Sequence, residues 1–303
     1  MDKLFRGVYT AMITPFTDYN TVDYASLERI VNNQIENGID GLVPCGTTGE
    51  SPTLSHEEHD RVIAQTIKYA AGRVPVIAGT GSNATSEAIR LSQHAEDSGV
   101  DAVLLVNPYY NKPTQKGLYL HFKAIADSVS VPCILYNIKG RTGVNLNTET
   151  LLRLSEECKN IVAVKEASGD LLQMEDVIKR KNKEDFSVLS GDDNLSLELI
   201  KKGGDGVISV ASNLFPHEMK EMIHAALSGS WDVAEHFNSW FSEFFKVCFV
   251  ETNPIPIKTA MAEFGYCKEL FRLPLCSLES EEHRAALSTC INRMKRDAEE
   301  GRI

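Results

Sequence analysis

The sequence predicts an α/β protein, a closed (β/α)8 TIM barrel with a C-terminal helical extension, on three observations. Eight short β-rich runs recur with helix-patterned stretches between them, their starts roughly 20 to 35 residues apart, the repeat of a βα unit. The runs are largely apolar rather than alternating, as strands buried on both faces of a parallel sheet are. Finally, the first strand leads into Thr14-Pro15-Phe16-Thr17 with no phosphate-binding glycine loop, which sets aside a doubly wound open sheet.

Strands are expected at 7–16, 41–45, 74–79, 102–107, 131–137, 161–167, 186–190 and 206–210. Between the first two, Leu27, Ile30, Val31 and Ile35 recur at helical spacing over 27–37, and Gly38 stops the helix. Ser55 and Glu58 form a capping box that opens a helix running to about Tyr69. The stretch 86–98 ends at Gly99 in the same way; 117–127, 148–157, 171–180 and 195–202 fill the other gaps, and Gly203-Gly204 closes the last. Past about residue 218 strand signals stop, and 219–227, 231–250, 256–264 and 279–299 read as helices. The expected division is a barrel over 1–228 and a helical domain over 229–303. Trp231, Phe237, Trp240, Phe241, Phe244 and Phe245 give one of these helices an aromatic surface, suited to packing on the barrel or to an oligomer contact.

Composition narrows the classes of function. With 303 residues, 43% of them hydrophobic, the chain can bury a large core. Its net charge of −11 is scattered, with no basic stripe, which argues against nucleic acid as a partner. No apolar run approaches the ~20 residues of a membrane span. Asp2 and the threonines of 7–16 make the N-terminus a first strand rather than a leader, although Lys3 and Arg6 precede it. Cys45, Cys133, Cys158, Cys248, Cys267, Cys276 and Cys290 form no C-x-x-C pair and are odd in number, which points to a reducing compartment. Only Cys45 lies near the chemistry considered next.

The stretch that carries chemistry is Ile161-Val162-Ala163-Val164-Lys165-Glu166-Ala167-Ser168. It reads as a buried strand holding one lysine. Scarce water disfavours the ammonium form and lowers its pKa, and a neutral amine forms an imine with a carbonyl compound. Taken alone, Lys165 reads rather as a strand-end lysine that snorkels to solvent or pairs with Glu166 or Asp170, and the rest of the chain changes that balance. In a barrel the site lies at the carboxyl ends of the strands. Those ends bring Gly46-Thr47-Thr48-Gly49-Glu50, Asn107-Pro108-Tyr109-Tyr110-Asn111, Tyr136-Asn137 and Arg141 toward one mouth with Lys165. Two hydroxyls and the N–H groups of a tight turn suit a carboxylate, or make an ordinary turn into a helix. Tyr136 suits a proton carrier or a half-buried structural phenol, and Arg141 a carboxylate clamp or a surface ion pair. His56-Glu57-Glu58-His59 is one residue short of the H-E-x-x-H zinc motif, and no metal site is expected.

The motifs GTTGES at 46–51, NPYYNKP at 107–113, YN at 136–137, RTG at 141–143, VAVKEASGD at 162–170 and GDGVISV at 204–210 occur in this order along the barrel. In them the chain resembles the pyruvate-dependent class I aldolase and lyase family typified by dihydrodipicolinate synthase and N-acetylneuraminate lyase. The paired threonines, Tyr109-Tyr110 and Arg141 favour the synthase branch. Two departures stand out: Ile138-Lys139-Gly140 replaces the usual proline and small residue, adding a cation near the substrate loop, and Pro44 precedes the GTTGE turn.

The resemblance implies condensation of pyruvate with L-aspartate 4-semialdehyde to 4-hydroxy-tetrahydrodipicolinate, on the route to diaminopimelate and lysine. It implies an imine on Lys165, with Tyr136, Thr47 and Tyr110 as a proton relay in which Tyr110 comes from a neighbouring subunit. Thr47 and Thr48 would hold the pyruvate carboxylate, with the Ile208 backbone nearby, and Arg141 the semialdehyde carboxylate, with neither metal nor organic cofactor. It further implies a cytoplasmic homotetramer built as two tight dimers. An L-lysine inhibitor site would take Ser51, Pro52, His56, His59, Gly81, Asn83, Glu87 and Tyr109. Rival readings are a related lyase cleaving N-acetylneuraminate or 2-keto-3-deoxygluconate, and an idle barrel that binds a keto acid as a sensor.

Overall fold

The computed structural model describes residues 4–303. Asp2 and Lys3, weighed above for the N-terminus, lie outside the described residues. The strands are β1 (Gly7–Ala11), β2 (Gly41–Val43), β3 (Ile77–Gly79), β4 (Ala102–Val106), β5 (Cys133–Asn137), β6 (Ile161–Glu166), β7 (Ser187–Ser190) and β8 (Gly206–Ser209). They form one sheet in the order β2-β1-β8-β7-β6-β5-β4-β3, parallel at every pairing. The ends of that order meet. Leu42 bridges Val76 in parallel, the Leu42 N–H donates to the Pro75 carbonyl at 3.0 Å, and the Gly79 N–H donates to the Pro44 carbonyl at 3.0 Å. The expected (β/α)8 barrel is therefore closed.

The helices are α1 (Tyr24–Glu36), α2 (His56–Ala70), α3 (Thr85–Asp97), α4 (Gln115–Ala126), α5 (Lys139–Thr142), α6 (Thr148–Glu157), α7 (Leu171–Arg180), α8 (Ser196–Lys201), α9 (Pro216–Ser228), α10 (Trp231–Val247), α11 (Ile255–Glu263) and α12 (Glu281–Glu299). Their starts follow local chemistry. Asp23 accepts from the Ser26 N–H at 3.0 Å and opens α1 ahead of its apolar pattern. The Ser55–Glu58 capping box forms in both directions, at 3.1 and 3.0 Å. Pro216, with no N–H to satisfy, stands at the start of α9.

Several strands are shorter than their apolar runs. β1 ends at Ala11, and the chain beyond it turns so that Phe16 pairs antiparallel with Val22. β2 stops at Val43 because Pro44 offers no ladder donor and Cys45 takes a left-handed φ of 57°. On the outer side of the barrel a large apolar layer packs under the helices, while Tyr9, Ile77, Leu104, Ile134, Leu189 and Ile208 fill the interior. The aromatic surface of α10 turns inward. Phe241 and Phe244 are fully buried, and Phe215, just before α9, meets the Trp240 and Phe244 rings edge-on at 5.5 and 5.1 Å. Among the described residues no helix is long and apolar enough to cross a membrane.

Candidate active site

Strand alternation decides what enters the barrel. In β6, Ala163 and Ala167 belong to the interior cluster and Val164 to the outer one, so Lys165 between the alanines points inward. In β5 the same parity sends Tyr136 inward with Ile134, directly across the ladder from Lys165. The lysine is 5% exposed, and its Nζ lies 4.2 Å from the centroid of the Tyr136 ring. Burial pushes its pKa down to about 8, against the pull of Asp192 and Asp193 and with the help of the Arg141 charge. Burial also drives the Tyr136 phenol well above its usual value, with Arg141 and the Thr47 side chain drawing it partly back. Such a phenol keeps its proton at neutral pH and works as a donor or a relay, not as a standing phenolate.

The 46–50 turn lies beside this pair, its Thr47 side chain hydrogen-bonded to the Tyr136 phenol. The Gly49 and Glu50 N–H groups close it on the Gly46 and Thr47 carbonyls at 3.1 Å each. Among the described residues the Thr47 and Thr48 N–H groups have no acceptor, so the turn offers two backbone donors beside its two hydroxyls. Lys165, Thr47, Thr48, Tyr136 and Arg141 line one small cavity of about 50 Å³. A second of about 330 Å³ shares Thr47, Tyr136 and Arg141 with it and continues past Ser51, Pro52, Gly81 and Tyr109. Arg141, on α5 at the mouth, donates through Nη2 to the Asn253 carbonyl at 2.9 Å.

Other predicted residues lie elsewhere. Ile208 is fully buried in the barrel filling and lines neither cavity, whereas Val210, two residues on, lines the smaller one. Tyr110 lines neither; it is 89% exposed, on backbone with φ of 72°. His56 Nε2 meets Glu87 Oε1 at 2.8 Å, and Glu87 also accepts from the Ser82 hydroxyl. Asn83 accepts through its carbonyl from Asn111 Nδ2 at 2.9 Å. His59 is buried with Nε2 2.8 Å from the Gly79 carbonyl, and burial lowers its pKa. Cys45 is a buried thiol whose pKa burial raises, on the wall of the larger cavity.

The structure adds residues that the sequence reading passed over. Asp192 lines the small cavity with Lys165, and burial raises its carboxyl pKa. Asp193 accepts the Val210 and Ala211 N–H groups at 3.0 and 2.8 Å, tying the end of β7 to the end of β8. Gly191 lies against the lysine, and a Cβ there would fall 3.0 Å from Lys165 Cε. The signal for all three was their place just after β7, at the same mouth as the other strand ends. Asn253, 205 residues from Thr48 in sequence and bonded to its hydroxyl at 3.0 Å, carried no such signal.

The closed barrel thus holds a dry amine beside a phenol at its carboxyl mouth. The chain belongs to the dihydrodipicolinate synthetase family, whose sequence model matches residues 4–294, and it is an enzyme, a lyase. It is similar to the 4-hydroxy-tetrahydrodipicolinate synthase of Leptospira biflexa, 53% identical over 275 residues, covering 91% of this chain and 92% of the relative. Its fold matches the crystal structure of dihydrodipicolinate synthase from Aquifex aeolicus with a TM-score of 0.94 at 48% identity, covering 96% and 98% of the two chains. It also matches DHDPS from Cyanidioschyzon merolae, solved with lysine bound, with a TM-score of 0.92 at 40% identity and the same coverage.

Proposed function

We propose that this chain condenses pyruvate with L-aspartate 4-semialdehyde to give 4-hydroxy-tetrahydrodipicolinate. The observation that carries the reading is the buried Lys165 amine, its pKa drawn to about 8, facing Tyr136 and the threonine turn across one small cavity. The neutral amine attacks the keto carbon, and loss of that oxygen as water leaves an imine. Protonated, the imine draws electrons from the methyl group, which gives up a proton and becomes the enamine carbon. That carbon adds to the aldehyde, whose oxygen takes a proton and becomes the ring hydroxyl. The substrate's own amine then attacks the imine carbon, closes the ring and expels Lys165 as the free amine.

Tyr136 carries the protons, passing them through Thr47, and the electron sink is the imine itself, so the scheme calls on no metal or organic cofactor. Thr47 and Thr48 hold the keto acid's carboxylate, with the Ile208 backbone nearby, and Arg141 holds the semialdehyde's. Tyr110 completes the relay in the site of a second copy, a role that suits its 89% exposure here, and the assembly is a tetramer of two tight dimers. L-lysine inhibits from a site that includes Ser51, Pro52, Gly81 and Tyr109 with His56, His59, Asn83 and Glu87, a reading supported by the lysine-bound relative and checked by titrating lysine against the rate. The compartment is the cytoplasm, in keeping with seven cysteines that are all unpaired.

Incubation with pyruvate and borohydride tests the core of the reading. Lys165 is expected to gain one reduced pyruvyl group by mass spectrometry, and an adduct on another lysine, or none, overturns it.

A further inference from the structure

The turn assigned above to the keto acid's carboxylate is held in place from the far end of the chain. Glu50 closes that turn, and its Oε1 takes Lys258 Nζ of α11 at 2.6 Å, an ion pair with both side chains fully buried. Its Oε2 accepts the Arg272 N–H at 3.2 Å. Two residues earlier in the turn, the Thr48 hydroxyl accepts from Asn253 Nδ2 at 3.0 Å. A hydroxyl that accepts there has its own proton left to donate, and Thr48 lines the small cavity.

An ion pair drawn wholly out of water adds little stability over an apolar pair of similar volume. The pair does define a position. Glu50 adopts a φ of 53°, a left-handed conformation that a side chain with a Cβ resists and that surrounding contacts must enforce. Backbone bonds to Thr47 and Thr53 hold Glu50 from within the turn, while both of its side-chain contacts come from the helical extension, as does the one that orients Thr48.

Resting on the imine reading, we propose that Asn253, Glu50 and Lys258 are positioning residues for the substrate carboxylate. The extension thereby sets both the shape of the 46–50 turn and the direction of the Thr48 proton, and recognition of the acid group depends on it while the amine does not.

The test compares two ketones. The full chain, Asn253→Ala and the double variant Glu50→Gln/Lys258→Met are titrated separately with pyruvate and with acetone, which has the ketone and lacks the carboxylate. The imine is reduced with cyanoborohydride and the adduct counted by mass spectrometry. In both variants the half-saturating pyruvate concentration is expected to rise about tenfold, the factor that ~1.4 kcal/mol of binding represents, with acetone trapping unchanged. An unchanged pyruvate titration, or an equal loss for both ketones, overturns the proposal. Should the double variant fail to fold, Asn253→Ala decides by the same comparison. No adduct on Lys165 of the unaltered chain overturns the imine reading instead.

Discussion

Asn137 donates through Nδ2 to both carboxylate oxygens of Glu166, at 3.0 and 3.2 Å, on the outer face of the strand pair whose inner face carries Tyr136 and Lys165. The same Nδ2 reaches Asn145 Oδ1 at 2.8 Å, and Asn137 Oδ1 accepts from Asn107 Nδ2 and the Leu146 N–H at 2.8 and 2.9 Å. Glu166 also accepts from the Ser168 N–H and from Gln173. This buried network pins β5 against β6 where the phenol and the amine must meet. Asn137→Ala strands several buried donors and acceptors at once. It is expected to lower stability by roughly 1–3 kcal/mol in urea unfolding and to slow imine trapping on Lys165.

The amine's titration sets the pH dependence. With a pKa near 8, about a tenth of Lys165 is neutral at pH 7, and that fraction grows with pH. Reductive trapping with cyanoborohydride is expected to rise about tenfold between pH 6 and 7 and to level off above about pH 8. The sign for stability follows from linkage. Burial of the ammonium costs the native state fully below pH 8, and the cost fades as pH rises from about 8 toward the ordinary lysine value of 10.5. A trapping rate that keeps climbing to pH 10 would place the amine in water.

Tyr136→Phe keeps the ring against the lysine and removes only the hydroxyl. The expected result is a loss of ~10²–10⁴ in turnover with the melting temperature little changed. Steady-state kinetics beside a thermal melt separates the two effects.

Gly191→Ala puts a methyl 2.5 Å from Ala167 Cβ and 3.0 Å from Lys165 Cε. Those contacts displace the lysine stem, with an overpacking cost of about 1–3 kcal/mol. Trapping by pyruvate is expected to slow, and the unfolding midpoint to fall with it; a wild-type trapping rate would show that the stem moves freely.

Tyr110 is tested by mixing. Lys165→Ala and Tyr110→Phe are each expected to be nearly inactive, and co-expressed in equal amounts they are expected to regain about a quarter of the wild-type rate through mixed dimers. No regain would confine the relay to one chain.

The barrel was legible because its causes are local. Apolar runs bounded by glycines, the Ser55–Glu58 box and the βα spacing each follow from a few neighbouring residues, and the structure keeps them. The burial of Lys165 was implied by its apolar run, and the turn at 46–50 by its own glycines and threonines; which face of the strand the lysine takes was not. Strand ends were less legible. β1 and β2 stop short of their apolar runs where the chain leaves the ladder, at Ala11 and before Pro44.

What the sequence determined by itself is therefore the architecture and the placing of one lysine in a buried strand: continuous apolar runs and period-3.6 patterns decide which side chains are buried. Only the tertiary structure decided the surroundings of that amine. Asn253 on Thr48 and Lys258 under Glu50 are contacts between distant segments, and no local pattern encodes them because each depends on how the chain brings its extension back to the barrel mouth; Asp192 reaches the same cavity from the end of β7.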